Sequence, residues 1–135
     1  RDYYASRGLG DVYKRQGLQM EKKKFQKIVY DVLKVLDKAV VYDTVVYDMA
    51  EITPFYDYSI ITSSNNSRQG NAAIDYLRDE APKLGLDVHS FSVSQDAKWL
   101  LVDLGIIVVH VFVGEERARY RLDDLYSSLP NEKIL

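Results

Sequence analysis

The chain has 135 residues, 47% of them hydrophobic and 28% charged, with a formal net charge of −2. A domain of this size buries roughly two-thirds of its unfolded surface, so no staple is required, and the absence of cysteine removes disulfides, thiolate metal sites and Cys nucleophiles together. No apolar run reaches the ~18 residues of a membrane span and no secretory pattern is read, while the acidic balance argues against affinity built on broad phosphate neutralisation.

Residues 1–19 (RDYYASRGLGDVYKRQGLQ) show neither helical nor strand periodicity, and Met20 then opens a clean amphipathic pattern. Met20 is read as the start of one working domain, residues 20–135, and 1–19 as a non-native leader or disordered extension. A transit peptide is the competing reading, against which stands the lack of an amphipathic face. The leader holds four basic and two acidic residues, which leaves residues 20–135 at −4.

Over residues 20–39, Phe25, Ile28, Val29, Val32, Leu33 and Leu36 fall on one helical face. The basic cluster Lys22 to Lys24 with Lys27 could touch RNA, but a solvated face is the favoured reading, because short basic clusters are common on surface helices. Residues 44–49 (TVVYDM) and 57–62 (DYSIIT) read as strands, with Pro54 marking the break between them. The turn chemistry of 63–66 (SSNN) precedes a helix from about Ser67 to Leu84 with Ala73, Ile74, Leu77, Ala81 and Leu84 inward. Pro82 should kink that helix or end it early, and Gly85 suits the left-handed stop. Residues 88–93 (VHSFSV) alternate as a strand. The runs 98–104 (KWLLVDL) and 107–113 (IVVHVFV) form a hairpin across Gly105-Ile106, a type II′ turn. Residues 115–128 read as one closing helix with Tyr120, Leu122, Leu125 and Tyr126 apolar. The order α-β-β-α-β-β-β-α predicts an α/β fold with a single mixed β-sheet and helices packed on it.

The hairpin register pairs Leu104 with Ile107, Asp103 with Val108, Leu101 with His110 and Trp99 with Phe112. Alternation then gives one aliphatic face, Leu100, Val102, Leu104, Ile107, Val109 and Val111. The other carries Trp99, Leu101, Asp103, Val108, His110 and Phe112, with Asp103 and His110 diagonal and within reach. Burying a carboxylate and an imidazole costs several kcal/mol unless they pair. A second core layer containing the pair, or a partner site with an aromatic hot spot, both satisfy this face.

Signals for catalysis are thin. There is no HExxH, GxGxxG or P-loop. Asp48, Asp57, Asp103, Asp123 and Asp124 sit on separate elements, which gives weak support to a magnesium site, and no nucleophile motif accompanies Asp103 and His110. The stretch 63–71 (SSNNSRQGN) could cradle a phosphate, but an ordinary N-cap explains it. No catalytic, cofactor or metal residue is assigned.

Together, VVYDM at 45–49, DYSIITSSNNSRQGNAAIDYL at 57–77, WLLVDLGIIVVHVF at 99–112 and ERARYRLDDLY at 116–126 resemble the ribosomal silencing factor family (RsfS, Iojap-like), in the family's order. The resemblance implies a nucleotidyltransferase-like shape without the catalytic carboxylates, and no enzymatic activity. It implies a cytoplasmic protein that binds the large ribosomal subunit through its fourteenth large-subunit protein, with little nucleic-acid contact. There it would block joining of the small subunit and repress translation. It also implies a homodimer as a further state. Carried over, the partner-binding site is Trp99, Leu101, Asp103, His110, Arg117 and Tyr120, and Ser67, Arg68 and Gln69 match the helix-start motif. Departures are Tyr126 where the family has Trp, Leu104 and Ile106 around the turn glycine, and Ser94-Gln95-Asp96 in place of Glu-Gly before the Trp-led strand. A nucleotidyltransferase-like enzyme using the Ser/Asn/Gly loop is the alternative function.

Overall fold

The computed structural model describes residues 24–92 and 94–134. Residues 1–19, read above as a leader, lie outside the described residues together with Met20, Lys22 and Lys23, as does Val93 within the expected third strand. The chain divides into two units between Lys34 and Val35. Helix α1 (Lys27–Leu36) begins in the first. Its start is held by the Phe25 amide, which donates to the Tyr30 hydroxyl at 3.2 Å, and by a Lys27–Asp31 pair one turn apart.

The second unit is built on a six-stranded sheet of β1 (Tyr42–Asp48), β2 (Tyr58–Ser64), β3 (Ser90–Phe91), β4 (Trp99–Asp103), β5 (Ile107–Val113) and β6 (Asn131–Ile134). The spatial order is β3-β4-β5-β2-β1-β6, with β2 and β5 parallel and every other neighbouring pair antiparallel. A parallel pair needs a long crossover. Here the crossover contains helix α2 (Ser67–Glu80) and the β3–β4 edge. The sheet is mixed and α/β, as the element pattern predicts.

Asn66 caps α2 by accepting the Gln69 amide at 2.9 Å. The helix lies close over β4 because Gly70 has no side chain: a Cβ there would meet Leu100 Cδ1 at 2.8 Å and Ser64 Oγ at 3.0 Å. Pro82 ends the α-helix as expected. The chain tightens to a 3-10 turn at Ala81–Leu84 and stops at Gly85, φ 80°.

The β4–β5 register is the one the sequence specifies, from Trp99 opposite Phe112 to Asp103 opposite Val108. Gly105 takes φ 89°, and the Leu104 amide donates to the Ile107 carbonyl at 2.8 Å. The aliphatic face of the hairpin lies under α2, and each of its six residues is at most 2% exposed.

Three elements differ from the sequence reading. The expected strand over 88–93 is reduced to Ser90–Phe91, because the Ser92 hydroxyl takes the Leu101 amide at 3.0 Å in place of a backbone carbonyl. The closing helix is two short helices, α3 (Glu116–Tyr120) and α4 (Leu122–Leu125), broken at Arg121 with φ 56°. The additional strand, β6, pairs antiparallel with β1 at the sheet edge.

Candidate functional site

The sheet face away from α2 carries Val45, Tyr47 and Met49, Ile61, and Phe112, and Tyr126 and Leu129 fold back over them. Trp99, Tyr56 and Leu122 pack partly buried against this cluster. The β1–β2–β5 part of the mixed face is therefore a second core. Its β4 part differs: Trp99, Leu101 and Asp103 alternate half-buried with fully buried neighbours.

Aromatic rings enclose Trp99, the single tryptophan of the chain. Phe112 lies 4.9 Å and Tyr120 4.6 Å from the indole, centroid to centroid. Its Nε1–H donates to His110 Nδ1 at 3.1 Å. Beyond sequence alternation, this depends on the break at Arg121, which ends α3 at Tyr120 and leaves that ring 48% exposed against the indole.

Asp103 and His110 take different partners from the pairing considered in the sequence. The Asp103 carboxylate accepts the Gly105 amide at 2.9 Å and so braces the hairpin turn. His110 is 6% exposed and gives Nδ1 to Trp99. Burial, opposed by the negative charge of Asp123, lowers its pKa to about 4, so the ring is neutral at pH 7.

Arg117 sits in a polar knot. Its guanidinium donates to both Asp123 oxygens, at 2.8 and 3.2 Å, to Ser63 Oγ at 3.0 Å and to the Asp43 carbonyl. The Tyr47 hydroxyl donates to the same carboxylate. Desolvation acts on Asp123 in the opposite sense, but the Arg117 and Tyr47 hydrogen bonds hold its pKa below the ordinary value. Burial first, then the hydrogen bond to Asp123, pushes the Tyr47 phenol up. Residues six apart do not meet on a continuous helix, so the break at Arg121 is what brings Asp123 onto Arg117. The knot ties α3 and α4 to β1 and β2 and leaves the Arg117 side chain 16% exposed. A cleft of about 520 Å³ opens beside it, lined by residues of both charges, Asp43, Glu115, Arg121 and Asp124 among them.

Of the six site residues, Trp99, His110 and Tyr120 are brought into one cluster, Leu101 and Asp103 extend from it along β4, and Arg117 stands apart in the knot. Ser67 and Asn71 tie the α2 start to the loop before β4, through the Ala97 and Ser94 carbonyls. Sequence reasoning did not single out Tyr47, Ser63 or Asp123 as site residues. Their spacing carries no motif, and only the sheet order unites them. Among the described residues no group of three or more His, Asp or Glu side chains is placed to hold a metal ion, and no helix is long and apolar enough to cross a membrane.

The chain matches the family described as ribosomal silencing factor during starvation (RsfS) over residues 22–134. It is 36% identical over 88 residues to the ribosomal silencing factor RsfS of Bacillus subtilis (strain 168), covering 65% of this chain and 75% of that one. It is 28% identical over 109 residues to RsfS of Halalkalibacterium halodurans, covering 81% and 93%. A crystal structure from Bacillus halodurans superposes with TM-score 0.69 at 28% identity, covering 82% of this chain and 100% of that one. One from Chromobacterium violaceum gives 0.71 at 23% identity, covering 78% and 88%, a likeness of fold alone.

Proposed function

We infer the function from one premise: the chain belongs to the ribosomal silencing factor family. It is a docking protein and not an enzyme. In the cytoplasm it binds the large ribosomal subunit through the fourteenth large-subunit protein, excludes the small subunit sterically and so represses translation. The working unit is residues 20–135, and the docking site is Trp99, Leu101, Asp103, His110, Arg117 and Tyr120.

The observation that carries this reading is Trp99, half-buried and ringed by aromatics at the margin of an otherwise packed face. A large amphipathic ring held rigid at a surface is what interface hot spots use. Leu101 and Asp103 follow it on the same strand face and supply an apolar and an anionic contact.

The test is sucrose-gradient sedimentation of the full chain with isolated large subunits, followed by addition of small subunits. The protein should travel with large subunits and fewer joined ribosomes should form. Trp99→Ala and Asp103→Ala should each weaken binding by about tenfold or more, with circular dichroism confirming that they stay folded. Wild-type binding by both variants would remove the site. A protein that stays at the top of the gradient would remove the docking function. A thermal shift that grows with millimolar nucleotide and magnesium would instead support the nucleotidyltransferase-like alternative.

A further inference from the structure

We propose that His110 is a positioning residue: it does not touch the partner but holds the Trp99 indole in the one orientation the partner meets. This rests on the docking reading above and deepens it by dividing the site into groups that contact and groups that hold.

The placement of His110 argues against a contact, because at 6% exposure it offers almost no surface. Its Nδ1 lone pair receives the indole N–H at 3.1 Å, which fixes the tautomer with the proton on Nε2. That Nε2 is buried and meets no protein partner among the described residues. A buried donor without an acceptor is destabilising, and a phenyl ring of similar size would avoid it. The neighbours on this face do not account for the imidazole. Asp103 gives its carboxylate to Gly105, and Asp123 is engaged by Arg117 and Tyr47. What the imidazole supplies is the acceptor for Trp99.

The indole needs one. Phe112 and Tyr120 pack against it with ring planes tilted by 36° and 51°, at 4.9 and 4.6 Å between centroids, but such packing alone does not decide which edge points outward. A hydrogen bond to Nε1 does, because the indole has one polar edge. Side chains ordered before association lose less freedom on binding, which raises affinity without adding a contact. His110 therefore contributes through Trp99 alone.

The test uses His110→Phe, which keeps the ring and loses the acceptor, and His110→Gln, whose amide oxygen restores one. Trp99 is the only tryptophan, so its emission and anisotropy report the indole directly in the full chain without ribosomes. His110→Phe should shift the emission, lower the anisotropy and weaken large-subunit binding roughly three- to tenfold, with a thermal midpoint at or above that of the wild type. His110→Gln should recover both the signal and most of the affinity. Unchanged emission and anisotropy in His110→Phe would overturn the positioning role alone. So would a changed indole with unchanged binding, provided Trp99→Ala does weaken binding. If Trp99→Ala binds normally, the docking site itself falls, and the positioning role falls with it.

Discussion

At position 110 the chain sets an ionisable ring between Val108 and Phe112, the apolar residues flanking it on the same face. That choice has a consequence in solution. The folded pKa of His110 is lowered from 6.5 to about 4 by burial. Above pH 6.5 the ring is neutral in both states and contributes no pH dependence. Below it the unfolded chain takes a proton that the folded chain refuses, so the group opposes folding progressively as pH falls towards 4. The shift corresponds to about 3 kcal/mol. We therefore expect His110→Gln to gain about 3 kcal/mol on the wild type between pH 6.5 and 4, read as the difference between urea unfolding curves at each pH. A constant difference across that window would show that the ring is not buried neutral. Alternation alone placed Trp99, Leu101, Asp103 and His110 together. It could not choose the hydrogen bonds, because Asp103 had a backbone amide two residues away as a competitor for His110.

Elements with a strong local signal follow the sequence closely. Pro82 ends a helix, and Gly85 and Gly105 take the positive φ that their places in the chain ask for. The C-terminal segment does not follow its periodicity. Tyr120, Leu122, Leu125 and Tyr126 suit one helical stripe, yet Leu125 is 72% exposed and Tyr126 is buried. The break at Arg121 gains the Trp99–Tyr120 contact and the Arg117–Asp123 knot, both long-range gains invisible to a local pattern. The edge strand β6, four residues long and polar at three of them, had no period to read. Gly70 is a signal of a different kind. In an exposed helix interior, Gly→Ala would stabilise by ~1 kcal/mol. Here the new methyl would press on Leu100, itself fully buried, at 2.8 Å. We expect Gly70→Ala to be destabilising by about 1–2 kcal/mol and Gly70→Val by more, each measured as a fall in the thermal midpoint. A midpoint that rises in Gly70→Ala would mean that α2 does not lie this close to β4.

For the whole molecule, hydrophobic period says which face a strand buries but not which strands become neighbours. The two-residue turn specified the β4–β5 pair. The order β3-β4-β5-β2-β1-β6, with β2 beside β5, follows from the crossover through α2 and was not legible. Charge, by contrast, is legible from composition and bears on the choice of partner surface. The chain is net −2, and residues 20–135 alone are net −4. Within the basic cluster Lys22 to Lys24 with Lys27, Lys27 is paired with Asp31. Under the proposed function, the acidic balance disfavours the phosphate field of ribosomal RNA and favours ribosomal protein as the docking surface. Proteins that grip six to ten phosphates lose roughly 10³- to 10⁵-fold in affinity between 50 and 200 mM salt, through counterion release. The proposed contacts through Trp99, Leu101 and Tyr120 would release no counterions. Large-subunit binding measured over that range, with magnesium held constant to keep the subunits intact, should therefore weaken by less than about tenfold. A steep loss would mean that RNA carries the affinity, in spite of the acidic balance, and would move the search for contacts from the β4 face to the basic cluster Lys22 to Lys24 with Lys27.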